Sequence, residues 1–138
     1  MRKFLVGILV VVLSVGLLAP TAVAKKKKIT DSWTAQALPY PPEVDSCQNG
    51  IEGVHVVNHE LKTPGKGVLD VTMTGYVADW DLWVFDPNGN ALGSSIGFVD
   101  VPTERVVVPI RGMDHVIVLA CNFLGGPTAE LESVYIYS

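Results

Sequence analysis

From residue 53 to the last, this sequence is a succession of short runs of β-branched and aromatic residues interrupted by Gly, Pro, Asn and Asp, with no helical period of useful length. That spacing predicts an all-β antiparallel sandwich or barrel. The clearest strand covers residues 68–74, where Leu69, Val71 and Met73 alternate with Asp70, Thr72 and Thr74, so one face is buried and the other wet. Residues 79–85 repeat the pattern, with Trp80, Leu82 and Val84 on one side and Asp79, Asp81, Trp83 and Phe85 on the other. Asp86-Pro87-Asn88-Gly89 then reads as a hairpin turn with Asp86 as its Asx cap, because Pro presets one turn torsion and Asn-Gly tolerates positive φ. Further strands are predicted over 54–60, 91–95, 104–110, 115–123 and 131–137, about seven to eight in all. The 115–123 run is apolar on both faces and is expected to be central; in the last run Val134 and Ile136 oppose Tyr135 and Tyr137.

The other end of the chain speaks to compartment. Met1, Arg2 and Lys3 precede an almost unbroken apolar stretch over 4–19, followed by Pro20 and Ala22-Val23-Ala24. This is the layout of an export signal, with cleavage expected after Ala24. An uncleaved membrane anchor is the competing reading, since the apolar stretch nearly spans a bilayer and four lysines follow it; Pro20 and the small-x-small end favour cleavage. Residues 25–52, with Lys25 to Lys28 and Pro39, Pro41 and Pro42, are expected to be a basic, Pro-rich lead-in, and 53–138 the folded domain, a monomer secreted outside the cell or held at its envelope.

Charge narrows the partners. Residues 29–138 hold four cations, Lys62, Lys66, Arg105 and Arg111, against all 14 carboxylates, a net −10 that should repel nucleic acid and anionic membrane. Lys25, Lys26, Lys27 and Lys28 are the exception; they read as a solvated tail, with weak contact to an anionic surface as the sharper alternative. In an exported chain, Cys47 and Cys121 suggest one disulfide.

Candidate chemistry is sparse, and an enzyme is not expected. Gly93-Ser94-Ser95-Ile96-Gly97 matches the Gly-x-Ser-x-Gly nucleophile elbow, but that device needs a strand-turn-helix and no helix can start at Phe98-Val-Asp-Val-Pro102, so Ser95→Ala is expected to be silent. His55 and His59 would share a helical face, but on a strand they stand about 13 Å apart and cannot hold one ion; His115 reads as a strand-entry residue. Asp79 and Asp81, two apart on one strand face, are weak calcium candidates, the preferred reading being that loop amides satisfy them and that no cofactor is bound. Trp83, Tyr76 and the Tyr135–Tyr137 pair offer an aromatic platform for sugar or peptide, against the plainer reading of core and cross-strand pairs.

The stretches Gly67-Val-Leu-Asp-Val and Asp79-Trp-Asp-Leu-Trp-Val-Phe-Asp-Pro-Asn-Gly-Asn, followed by Ser94-Ser95, a strand containing Glu104 and the apolar run from Val116 to Ala120, resemble the bacterial pre-peptidase C-terminal domain. The resemblance covers roughly residues 60–137. It implies a jelly-roll-like β-sandwich, commonly appended to secreted peptidases, with some relatives binding collagen or calcium. The family's Gly-x-Tyr-Tyr-x-Val strand is replaced here by Met113-Asp-His-Val-Ile-Val, and a stand-alone module is expected. The function expected is a secreted, non-catalytic binding or accessory module for an extracellular polymer or partner protein. The alternative is a structural or interaction protein held at the envelope by its lysines.

Overall fold

The computed structural model describes residues 25–41, 47, 50–97 and 101–138; the expected signal over 1–24 lies outside them. Eight strands follow in order: β1 Lys27–Gln36, β2 Val56–Lys62, β3 Lys66–Thr74, β4 Ala78–Phe85, β5 Ala91–Ser95, β6 Glu104–Arg111, β7 His115–Gly125 and β8 Thr128–Tyr137. They form two four-stranded antiparallel sheets, ordered β1-β8-β3-β6 and β2-β7-β4-β5. This is the interleaved order of a jelly roll, and it bears out the expected sandwich.

Period-2 alternation sets the core. Leu69, Val71 and Met73 of β3 and Val106, Val108 and Ile110 of β6 face Trp80, Leu82 and Val84 of β4 and Val116, Val118 and Ala120 of β7, all essentially closed to solvent. Each large apolar side chain so buried contributes on the order of 1.5–3 kcal/mol. The run that is apolar on both faces becomes β7, central between β2 and β4. The predicted hairpin forms as read: Gly89 has φ 82°, and Asp86 Oδ1 accepts from the amides of Asn88 and Asn90 at 2.8 Å each.

One boundary differs. The folded domain does not begin at residue 53, because β1 lies inside the stretch read as a lead-in and pairs with β8 in register from Lys27↔Tyr137 to Gln36↔Thr128. The signal was present as Asp31, Trp33 and Ala35 alternating with Thr30, Ser32 and Thr34, but the prolines just downstream masked it. Lys27 and Lys28 are accordingly strand residues, not tail. Trp33 also stacks on His59 of β2 at 4.0 Å between ring centroids, and His59 Nε2 lies 2.9 Å from Asp31 Oδ2, so this dyad joins the edge strands of the two sheets.

Candidate interaction site at one end of the sandwich

Strand direction gathers the described residues 37–41, 47, 50–55, 75–77, 96–97, 101–103 and 126–127 at one end of the sandwich, next to the pairs Gln36↔Thr128, Thr74↔Glu130, Met73↔Glu104 and Ala78↔Gly125. These segments are strapped together. The amide of Ala37 donates to Pro127 O at 2.9 Å, that of Leu38 to Val54 O at 2.7 Å, and that of Gly126 to Val77 O at 3.3 Å. The fully buried Asn122 side-chain amide donates to Ala37 O and Gly126 O at 2.8 and 2.9 Å. Gly125 has φ 122°, and a Cβ there would run into the Val77 carbonyl oxygen, so only glycine suits this turn.

Cys47 and Cys121 are joined, as expected, with Cα atoms 5.8 Å apart. The bond ties the long β1–β2 connection to β7, and Tyr40 reinforces it by donating its hydroxyl to Cys47 O at 2.9 Å. Such a bond belongs to an oxidising compartment.

The strapped end is unusually apolar on its outside. Of the eleven large apolar side chains exposed among the described residues, seven are here: Leu38 and Val54, Val77 (68% exposed) and Leu124, and Ile51, Ile96 and Val101. Leu38 and Val54 line an open groove of about 400 Å³ with Gln36, Pro127 and Thr128. Soluble proteins normally scatter such residues singly, so their concentration at one end is informative.

Beside this rim sits a group of acids. Asp79 and Asp81 are brought together with Glu104 of β6 and the phenol of Tyr76. Burial pushes the Asp81 carboxyl up to about 7, with Asp79 and Glu104 adding to the rise. Burial likewise raises Asp79. The Tyr76 phenol is pushed up to about 12 by burial and by the three carboxylates, and its hydroxyl donates to Val101 O at 2.8 Å. The loop amides expected to satisfy the aspartates are not found among the described residues. Asp81 Oδ2 lies instead 3.2 Å from Cys47 Sγ. A disulfide sulfur has no proton to give, so the contact suits a protonated Asp81. A sulfur from each cysteine and an Asp81 oxygen lie within 4.8 Å of one another, but bonded sulfurs carry no thiolate charge to hold a metal.

Ser95 has a structural partner. Its hydroxyl bonds Glu104, which is only 2% exposed, while its oxygen accepts from the Arg105 amide at 3.3 Å. The three histidines are elsewhere: His55 stacks on Tyr40 outside β2, His59 pairs with Asp31, and His115, at the start of β7 as predicted, pairs with Asp114. The expectation that Ser95→Ala is silent is therefore corrected, since Ser95 is a hydrogen-bond partner of a buried carboxylate. The sequence places Glu104 in a strand without marking it as a site residue. Its signal was legible, because Glu104 falls in the inward phase of Val106, Val108 and Ile110.

The aromatic platform does not assemble. Trp83 is on the outer face of β4, stacked on Phe85 at 5.9 Å, with no partner for its indole N–H among the described residues. Tyr76 belongs to the loop end. Tyr135 and Tyr137 stack on each other at 5.2 Å near the opposite end, where Tyr135 donates to Gly65 O at 2.7 Å. Strand alternation alone does not say which sheet or which end a residue reaches.

Fold and site together define a jelly-roll sandwich with a disulfide-strapped, apolar loop end bordered by carboxylates. No family model matches the sequence, and no curated protein does. Among solved structures the chain is similar to PliG of Aeromonas hydrophila, described as a periplasmic lysozyme inhibitor of g-type lysozyme, at 11% identity over 80% of this chain and 85% of that one, with a TM-score of 0.45.

Proposed function

We propose that this is a secreted, non-catalytic binding module that takes a protein partner at the strapped loop end. The observation that carries the reading is the gathering of seven exposed apolar side chains at one disulfide-tied end. A preorganised apolar patch loses little conformational entropy on binding, which favours affinity. The neighbouring carboxylates and the net charge of the domain favour a partner with cationic groups around an apolar centre. The motif resemblance to the pre-peptidase C-terminal domain supports the same direction, that of an accessory to a separately encoded secreted enzyme.

No ion enters this reading. Calcium takes six to eight oxygens, whereas here Glu104 is engaged by Ser95 and Asp81 faces sulfur. Nor does an esterase, because the Ser95 hydroxyl serves Glu104.

The test is capture from the protein's own culture medium. One partner should be retained in stoichiometric amount by the native protein and by Val107→Asp, an exposed change on the other sheet. Val77→Asp combined with Leu124→Asp should lose it without a change in melting temperature. Retention by that pair, or enrichment on insoluble polysaccharide with no protein partner, would overturn the proposal.

A further inference from the structure

The cations of residues 25–138 are not spread over the surface. Lys25 to Lys28, Lys62, Lys66 and Arg111 all lie at the pole opposite the loop end, and Arg105 alone is elsewhere, paired with Asp70 at 2.6 Å. Strand register builds this pole. Lys27 lies beside Tyr137, Tyr137 beside Gly67, and Lys66 beside Arg111, so the same ends of β1, β8, β3 and β6 meet in one row. Four neighbouring strands span roughly 15 Å, just under two Debye lengths in physiological salt, so adjacent charges in the row act on a surface together.

The cations also frame apolar side chains. Lys26, Lys66, Gly67, Val68, Ile136 and Tyr137 line a shallow groove of about 290 Å³, in which Val68 and Ile136 are 47% and 43% exposed. Lys27 Nζ stands 5.9 Å over the Tyr137 ring. Two side-chain carboxylates at the same pole, Asp86 and Asp114, are in turns of the other sheet and are engaged by Asn88 and Asn90 and by His115, while Ser138, the last residue of the sequence, also lines the groove and donates its amide to Lys66 O at 3.2 Å.

We propose that this pole is a docking surface for an anionic lipid bilayer, in which Lys66 and Arg111 complete a patch begun by Lys25 to Lys28 and Val68, Ile136 and Tyr137 enter the headgroup layer. A soluble polyanion would use the charges alone. Tyrosine and aliphatic side chains ringed by flexible cations suit an interface with an apolar interior. The net charge of the domain, read as a single number, hides this surface, because most carboxylates of the described residues lie elsewhere. Docking here would turn the loop end toward solvent. The inference does not depend on the loop-end proposal, and its test uses no protein partner.

The chain beginning at Lys25, the form expected after cleavage, is sedimented with vesicles of phosphatidylcholine alone and with vesicles containing about 30% phosphatidylglycerol, which approximates an anionic leaflet. Partition should be higher on the anionic vesicles and should collapse to the neutral-vesicle level near 1 M salt, where the Debye length is about 3 Å. Each cation near such a surface is worth roughly fivefold in partition, so Lys66→Glu with Arg111→Glu should lower anionic-vesicle binding by at least about tenfold at unchanged melting temperature. Arg105→Glu, away from the pole, should leave it unaltered; Lys66→Gln with Arg111→Gln serves if charge reversal impairs folding. Four results would each overturn the proposal: equal binding to both vesicle types, native-like binding by the double variant, an equal loss with Arg105→Glu, or retention on polyphosphate beads without vesicle binding.

Discussion

Asp81 holds a carboxyl oxygen 3.2 Å from the sulfur of Cys47, and that cysteine is bonded to Cys121, the residue beside Asp81 on the neighbouring strand. The most strongly perturbed carboxyl at the loop end thus touches the covalent strap that holds the loop end together, and the predictions below probe the two separately.

Stability should fall as pH rises from about 4 to about 7. The folded Asp81 carboxyl titrates near 7 against an ordinary value of 3.8. Below that ordinary value both states are protonated and nothing is lost; between the two values the unfolded chain releases its proton first, and the folded state loses relative stability until the full penalty is reached above 7. Asp31, Asp70, Asp86 and Asp114 are shifted the other way, so their contributions are present above about 4 and are lost on further acidification. Allowing for partial exposure, the Asp81 penalty is about 1–2 kcal/mol. Asp81→Asn should raise the melting temperature by several degrees at pH 8 and by nothing at pH 4. Parallel pH profiles for the two proteins would refute the assignment.

Reduction of the disulfide should cost far more. The crosslink joins residues 74 apart, and the chain-entropy account assigns such a loop roughly 4 kcal/mol. Cys47→Ala with Cys121→Ala should melt on the order of 15–20 °C lower. Amide exchange in the reduced protein should accelerate first at residues 37–41 and 50–55, since β1 and β8 keep their pairing. Two free thiols in the denatured native protein would contradict the bond.

Ser95→Ala should destabilise by about 1–3 kcal/mol, because it leaves the buried Glu104 carboxyl without its hydroxyl partner. In the double variant with Glu104→Gln the loss should be smaller than the sum of the single effects, as contacting groups are not additive. Esterase activity that vanishes with Ser95 would instead make it a nucleophile.

Calcium should leave the melting curve where chelator leaves it. An ion that binds only the folded state would stabilise it by roughly 2.7 kcal/mol at a hundredfold excess over Kd, a rise of many degrees for a domain of this size. Coincident curves are expected, with Asp81→Ala shifting both alike. A calcium-dependent rise abolished by Asp81→Ala would establish a cation site.

Much of the architecture follows from the amino-acid sequence alone. Alternation in β3 and β4, the doubly apolar run of β7, the Asp-Pro-Asn-Gly turn and the pair of cysteines are local facts, each with a local physical cause, and together they dictate an antiparallel sandwich with one crosslink. The tertiary structure decided what a period of two cannot encode: which sheet a strand joins and which end its residues reach. Glu104 meets Ser95, and Asp81 meets the disulfide, only because β4, β5, β6 and β7 end side by side. The aromatics predicted to share a platform are dispersed for the same reason. Two of the four lysines that read as a tail begin an edge strand, and beside them Lys66 and Arg111, distant in the chain, become part of one charged pole. Pairing between strands remote in sequence, not the composition of any segment, set those neighbours.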